Sequence, residues 1–599
     1  MKTAWWRPWV LDALMSGIVG LACFFIGFGR SPLALKEPLG SGDLTYYYGY
    51  LNAQGMGDGL SPHFGYPYGF DGSYFPVSDW IQLLTAQGIG AVTGTVYLGL
   101  NVSYALSFAA AAVLAWLASR LAGVPRVLAI VIGVAFTVLP THWFRIEHIT
   151  LATIYSLPAA LSIALIILRG RLDATPEGRS REFRLWLGGA CALALMIAFS
   201  GLYYAFYGTF LILLAVLFRV SRADSWKRWL WNLIPLAVLG VFTLLALIPG
   251  IRTRLTSEGS VGYERPIYDA VLYSGQMIDA ILPTRVSMLP GLGDLAQPLD
   301  AINEWANDAN TFGVRWIADQ GTTLTLLAAI AILLWIAFWG GVGKVAHDGS
   351  LSTTGQQFVA QARSTLVFLI TAAVLTAASY VPFGFGTYFS TAITLNFRGW
   401  DRLIVLFQLL LLVALGLIAA LALERVPEAR RRLVLIVAVI VAGASMLLDT
   451  VLPARTFFDG QLLKGQEQVH AASLVIQDMA AVPQDCAILQ LPYRQFPEAA
   501  PVARLGVYEP LWFGLVDRTR AWSYGGVYGS KQDQWLQRVS ADPVASLGEL
   551  KAQGFCAILV DSRGYDQAGL DAVTGELARG LGEPIVAQGV EPVLIYRIP

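Results

Sequence analysis

An acid followed at once by a row of aromatics stands in the stretch SGDLTYYYGYL (41–51): Asp43, then Tyr46, Tyr47, Tyr48 and Tyr50. A carboxylate in that place can act as a general base, taking a proton from an acceptor hydroxyl as a sugar is transferred, provided it comes within hydrogen-bond reach. The same residues fit a helix start, with Asp43 capping a helical YYYGYLNAQ. The tyrosines also fit an interfacial aromatic belt. Further on, HFGYPYGFDGSYFPVSDW (63–80) sets His63, Asp71 and Asp79 among aromatics and turn residues. Such a mixture suits carbohydrate, whose C–H faces stack on rings and whose hydroxyls need acceptors, and it equally suits a rigid loop. His63 is too isolated to be read as a metal ligand.

Two further clusters carry charge beside apolar stretches. THWFRIEH (141–148) packs His142, Arg145, Glu147 and His148 into a short turn. Ionisable residues at the edge of a membrane are functional candidates, and the guanidinium of Arg145 is a fixed fork of donors suited to a lipid phosphate. The other reading of the turn is an internal Arg145–Glu147 or Glu147–His148 pair. NFRGWDR (396–402) adds Arg398 and Arg402, which suit the same phosphate, with a pair between Arg402 and Asp401 or another loop acid as the alternative. Arg252, Arg254, Glu258, Glu264, Arg265 and the stretch NEWANDAN (303–310) complete the polar inventory.

The elements that must hold these residues are apolar. Of the 599 residues, 56% are hydrophobic and 14% charged, against roughly 25% charged in a soluble domain; the mean hydropathy is +0.57. Repeated runs long enough to cross about 30 Å of hydrocarbon predict a polytopic α-helical membrane protein. A net charge of zero argues against a nucleic-acid partner. The first apolar stretch is long and no A-x-A-like site follows it, so it reads as an uncleaved span.

Hydropathy predicts about eleven spans, centred on 9–29, 102–119, 127–143, 151–168, 185–201, 203–219, 229–250, 322–340, 364–381, 403–423 and 433–451. Arginine and lysine gather in the loops after the second, fourth, sixth, eighth and tenth spans, as with Arg120 and Arg126, or Arg430, Arg431 and Arg432. By the positive-inside rule those loops and the N-terminus are cytoplasmic, and the C-terminus is outside. The long stretches 30–101 and 251–321, the shorter 382–402 and the tail 452–599 then share the external face. The chain divides into a membrane domain, 1–451, and an external domain, 452–599.

In the tail, CAILQLP (486–492) and CAILVDS (556–562) read as buried strands, LGELKAQGF (547–555) as a helix ending at glycine, and EPVLIYRIP as a last strand, an α/β pattern. Cys486 and Cys556 each open a strand; if the strands are neighbours in register, a disulfide is geometrically open to them. Otherwise they are two small buried hydrophobes. WSYGGVYG (522–529) suits a sugar or lipid contact, or a turn between strands.

This order of elements resembles the GT-C class of integral-membrane glycosyltransferases: a first span, a long external loop with an early acid (GDLTYYYGYL), many spans and an external C-terminal domain. The similarity is closer to bacterial GT-C-like membrane proteins of uncertain substrate, among them those implicated in glycosylating lipoteichoic acid. It is carried by RIEHITLATIYSLP (145–158), YSGQMIDAILP (273–283), NFRGWDRLIVL (396–406), LQLPYRQFPE (489–498) and WSYGGVYG. The resemblance implies transfer of a sugar from a polyprenyl-phosphate carrier to an envelope glycan or lipid acceptor on the external face, with inversion. It implies Asp43 as the base and Arg398, Arg402 and Arg145 at the donor phosphate. His63, Asp71, His142, His148, Tyr46 and Tyr47 are candidates to contact substrate. Many enzymes of the class carry a tighter acidic pair in the first loop. Here Leu44 follows Asp43 and the next acid is Asp58, so no cofactor is implied and a divalent metal stays open. The expected location is a bacterial cytoplasmic membrane, with lipids as further partners. The rival classes are a transporter of lipid-linked glycans, which calls for charges within the spans, and a non-catalytic envelope-assembly protein.

Overall fold

The structure, a computed structural model, describes every residue except 1–6, 41, 54–59, 62, 72–78, 174–179, 222–229, 257–265, 299–316, 339–352, 498–501 and 590. Asp58, Glu258, Glu264, Arg265 and the stretch 303–310 therefore lie outside the described residues.

Helix α1 (Arg7–Phe28) leads into the first loop, which holds α2 (Asp43–Ala53), a small hairpin of β1 (Leu60–Ser61) and β2 (Phe70–Asp71), and α3 (Trp80–Thr93). The bundle continues with α4 (Val96–Ala122), α5 (Arg126–Thr137), α6 (Ser156–Leu168), α7 (Arg181–Ala198), α8 (Leu202–Val220) and α9 (Ile234–Thr256). A second loop carries α10 (Asp269–Leu272), and then follow α11 (Thr323–Ala337), α12 (Thr353–Tyr380), α13 (Phe385–Ala392), α14 (Ile404–Leu423), α15 (Glu428–Met446) and α16 (Leu452–Asp478). Each of the eleven expected spans falls on helix. Among the described residues nine helical runs are long and apolar enough to cross a membrane. Of the other two expected spans, α11 is short, and α7 opens on Arg181, Glu182 and Arg184. The chain is a multi-span membrane protein. Its central helices, α6 and α14, are apolar all round and almost wholly enclosed, whereas α1, α9 and α15 leave most of their apolar surface facing outward, as helices bordering lipid do.

The last span does not stop at the membrane. After α15 a π turn, Leu447–Val451, passes directly into α16. The turn points Asp449 into the second loop, where its carboxylate accepts from Ser287 Oγ (2.7 Å), Thr323 N (2.8 Å) and Thr323 Oγ1 (3.1 Å). A fully buried acid is tolerable only when its lone pairs are filled in this way.

The tail is an α/β domain. Its sheet runs in the order β4 (Ala521–Trp522), β3 (Ala487–Leu491), β5 (Phe555–Asp561), β7 (Pro592–Arg597) and β6 (Ile585–Gln588). The first three strands are parallel and the last two join antiparallel. Helices α17 (Leu511–Val516), α18 (Lys531–Ala541), α19 (Leu547–Ala552) and α20 (Gln567–Leu581) cover it. The two cysteine-led stretches are paired neighbours, and Cys486 and Cys556 are joined as a disulfide with Cα atoms 5.8 Å apart.

The row of tyrosines is not an interfacial belt. Tyr46, Tyr47, Tyr48 and Tyr50 are all buried. Tyr46 packs on Phe496 and Tyr508 of the tail, with ring centroids 5.6 and 5.5 Å away, and Tyr48 lies 6.3 Å from Trp512. The rest of the first loop pairs with the tail through its backbone. Gly65 N donates to Tyr524 O (2.8 Å), Tyr66 N to Trp522 O (3.0 Å) and Trp522 N to His63 O (2.7 Å). WSYGGVYG is this docking turn. Gly525 has φ +124°, and a Cβ there would sit 2.9 Å from Phe70 Cδ2, so only glycine lets the two backbones meet. One hydrophobic core thus runs through α1, α2, the first loop and the tail.

Candidate functional site

Helix α2 begins at Asp43, and the 3₁₀ turn Ile146–His148 packs beside it. Their side chains meet: His148 Nε2 lies 3.2 Å from Asp43 Oδ2, with 43% and 31% of the two side chains exposed. This acid–imidazole pair is the open part of the cluster. Glu147 turns away from it, toward α16, accepting from Gln461 Nε2 (3.4 Å) and lying 3.9 Å from Lys464 Nζ. Neither pairing expected within the turn forms.

Below Asp43 the site becomes enclosed. Tyr47 Oη and Thr150 Oγ1 are 3.0 Å apart. Thr150 also hydrogen-bonds Asp79, the residue just before α3. Burial pushes the Asp79 carboxyl up to about 7, opposed by the Thr150 hydrogen bond and by the charge of Arg402. Asp79 and Tyr47 are thus buried together within reach of the charge of Arg402.

The three arginines expected at a phosphate part company. Arg145 is buried and spent on two carboxylates: its Nη2 donates to Asp401 Oδ2 and lies 3.4 Å from Asp319 Oδ1, all three side chains being under 10% exposed. Burial drives the Asp319 carboxyl up to about 8, with Asp401 and Asp279 adding to the rise and Arg145 opposing it. Arg398 pairs with Asp269 (3.0 Å) and lies over the ring of Tyr273 at 5.1 Å. Arg402 makes no ion pair among the described residues. Its guanidinium stacks 4.0 Å over Tyr203, and its Nε has no hydrogen-bond partner. Gly399 makes room for it, since a Cβ there would lie 2.6 Å from Arg402 Nε. The expected Arg402–Asp401 pair is absent because Asp401 is already held by Arg145.

Of the remaining candidates, His142 and Tyr46 are enclosed. His142 is fully buried, both ring nitrogens are engaged, with Ser107 Oγ and Thr137 O at 2.8 Å each, and the ring stacks on Phe108. Tyr46 is enclosed in the aromatic contact with the tail. The carbonyl of His63 is part of the docking ladder. Asp71 ends β2, and its side chain lies outside what is described. The sequence marks Asp79 only as one acid of a loop suited to carbohydrate or to a rigid turn, and it does not single out Thr150, Asp319 or Tyr203. The available signal for Asp79 and Asp319 was an acid abutting an apolar helix. Among the described residues no three His, Cys, Asp or Glu side chains gather as a metal-ligand set.

No protein-family model matches the chain, and no curated protein matches it. Solved structures do. ArnT from Cupriavidus metallidurans bound to undecaprenyl phosphate is similar over 100% of this chain and 99% of its own, with 13% identity and a TM-score of 0.44. The archaeal oligosaccharyltransferase AglB from Archaeoglobus fulgidus, in complex with an inhibitory peptide and a dolichol-phosphate, is similar over 97% of this chain and 72% of its own, with 11% identity and a TM-score of 0.42. The apo form of the Archaeoglobus fulgidus enzyme gives 94%, 70%, 13% and 0.44.

Proposed function

We propose that this protein is a membrane glycosyltransferase that moves a sugar from a polyprenyl-phosphate carrier to a glycan or lipid acceptor at the face where Asp43 lies. The observation that carries the reading is the half-open Asp43–His148 pair, set beside Arg402, which has no carboxylate partner among the described residues. Asp43 takes the proton of the acceptor hydroxyl, and His148 holds the carboxylate in place. The hydroxyl oxygen bonds to the anomeric carbon, the bond from that carbon to the phosphate oxygen breaks, and its electron pair leaves on the phosphate. Configuration inverts. Arg402 receives the leaving charge, and stacking on Tyr203 holds its planar donors in one orientation. Arg145 and Arg398, already paired, serve by holding the surrounding loops. No residue here is assigned to hold a metal, and no step runs through one.

The test is envelope-glycan profiling of a deletion strain complemented with the wild type, Asp43→Asn or Arg402→Ala at matched expression. The reading expects both variants to leave the same sugar missing as in the deletion. If Asp43→Asn restores the glycan, Asp43 is not the base, and a carrier or assembly role takes precedence.

A further inference from the structure

The segment between α12 and α14 contains an eight-residue helix with two opposed faces. From Val381 to Phe397 it carries no charged side chain. The inner face of α13 is locked to the turn that bears Arg402. A Cβ at Gly386 would lie 2.3 Å from Trp400 Cδ2; Ser390 Oγ accepts from Trp400 Nε1 (2.7 Å) and donates to Phe397 O (2.6 Å). The outer face is apolar and open: Phe385 is 63% exposed, Tyr388 74% and, just past the helix, Ile393 68%. On the turn that leads into α10, which Thr387 Oγ1 ties to α13 by donating to Ala270 O, Ile267 and Tyr268 are exposed as well.

What covers this face follows from its neighbours. Helix α12 ends at Tyr380 and presents Val374 and Leu375 outward, and α8 presents Phe210 beside the Phe206–Phe389 contact. The open face of α13 therefore continues the apolar belt of two spanning helices. The chain on either side of α13 is irregular, and unladdered backbone is tolerated at the edge of hydrocarbon, not within it.

We propose that α13 is an interfacial anchor, lying along the membrane surface on the Asp43 side with Phe385, Tyr388 and Ile393 in the boundary between headgroups and acyl chains. Short amphipathic helices bind this zone through buried apolar area, and aromatic side chains suit it. The contact is independent of glycosyl transfer. Through Trp400 it also fixes the height of Arg402 relative to the headgroup plane.

The full chain, in a Cys23→Ala, Cys191→Ala background that keeps the tail disulfide, receives one added cysteine by Phe385→Cys, Tyr388→Cys or Ile393→Cys and a nitroxide label. It is placed at one copy per nanodisc of phosphatidylethanolamine and phosphatidylglycerol. Relaxation by oxygen and by a nickel chelate then reads depth. Leu333→Cys on α11 and Val586→Cys on β6 are the hydrocarbon and water references, both positions being exposed on the protein. The expected result is a depth of about 5–10 Å below the headgroups at 385 and 388. Chelate access equal to that at 586 overturns the proposal, as does dipolar broadening that shows a second copy seated on the face when discs hold two.

Discussion

Replacing Arg145 separates two roles that its position allows. Its guanidinium is shared by Asp401, 256 positions away in sequence, and Asp319. All three groups are buried, so Arg145→Met leaves two carboxylates facing each other in a dry site. Breaking a buried ion pair in this way costs about 3–5 kcal/mol, whereas removing every charge together is often close to neutral. Arg145→Met alone is thus expected to lose about 3–5 kcal/mol, and the triple variant Arg145→Met, Asp319→Asn, Asp401→Asn to recover most of it. The loss also has a pH sign. Asp319 already titrates near 8, above its ordinary value, so the folded state holds its proton more tightly than the unfolded chain does. Its burial costs stability progressively as pH rises from about 4 toward 8. Without the arginine Asp319 holds its proton harder still, so the deficit shrinks toward pH 5 and widens toward pH 9. Equilibrium unfolding in mixed micelles, followed by tryptophan fluorescence, measures this. Stability within about 0.5 kcal/mol of wild type, the range of an ordinary surface change, together with weakened donor binding, would refute the reasoning and return Arg145 to the phosphate.

Three further outcomes are expected. Gly399→Ala places a methyl against Arg402 Nε and displaces the guanidinium; turnover falls by up to about 10²-fold, the cost of a small misplacement at a reacting centre, while the unfolding midpoint stays put. Asp79→Asn removes a buried acid held near 7, so the variant loses the wild-type decline in stability between about pH 4 and pH 7, worth roughly 4 kcal/mol at the alkaline end; an unchanged pH profile of unfolding contradicts this. Cys486→Ser with Cys556→Ser opens a bridge between residues 70 apart, and the tail loses up to about 4 kcal/mol by loop entropy, read as earlier proteolysis of the tail with the helical bundle intact.

The helices were legible because a span needs a long unbroken apolar run, a signal contained within its own residues. The tail strands were legible for the same reason, as short apolar runs between turns. What spacing could not reveal was partnership across the chain. The turn 141–148 offered Arg145 a neighbour in Glu147, yet the arginine reaches Asp319 and Asp401, brought to it only by the closing of the second and third loops. The tyrosines after Asp43 had the composition of a membrane belt, and it is packing on the tail and on distant bundle residues such as Thr150 that makes them core. Asp43 was found through its place after the first span; His148, its partner, was named as a candidate without that pairing.

The packing of α2 on the tail also sets a timetable. Tyr46 leaves the ribosome roughly 450 residues before Phe496, which at usual synthesis rates is on the order of a minute. During that interval the helix that begins at Asp43 has its contacts with the bundle, such as Tyr47 on Thr150, but lacks the aromatic face that the tail supplies. The outer packing of α2 is therefore completed only once the tail is made. A nascent chain cut short before the tail is an inserted membrane protein whose Asp43 helix lacks its covering aromatic face.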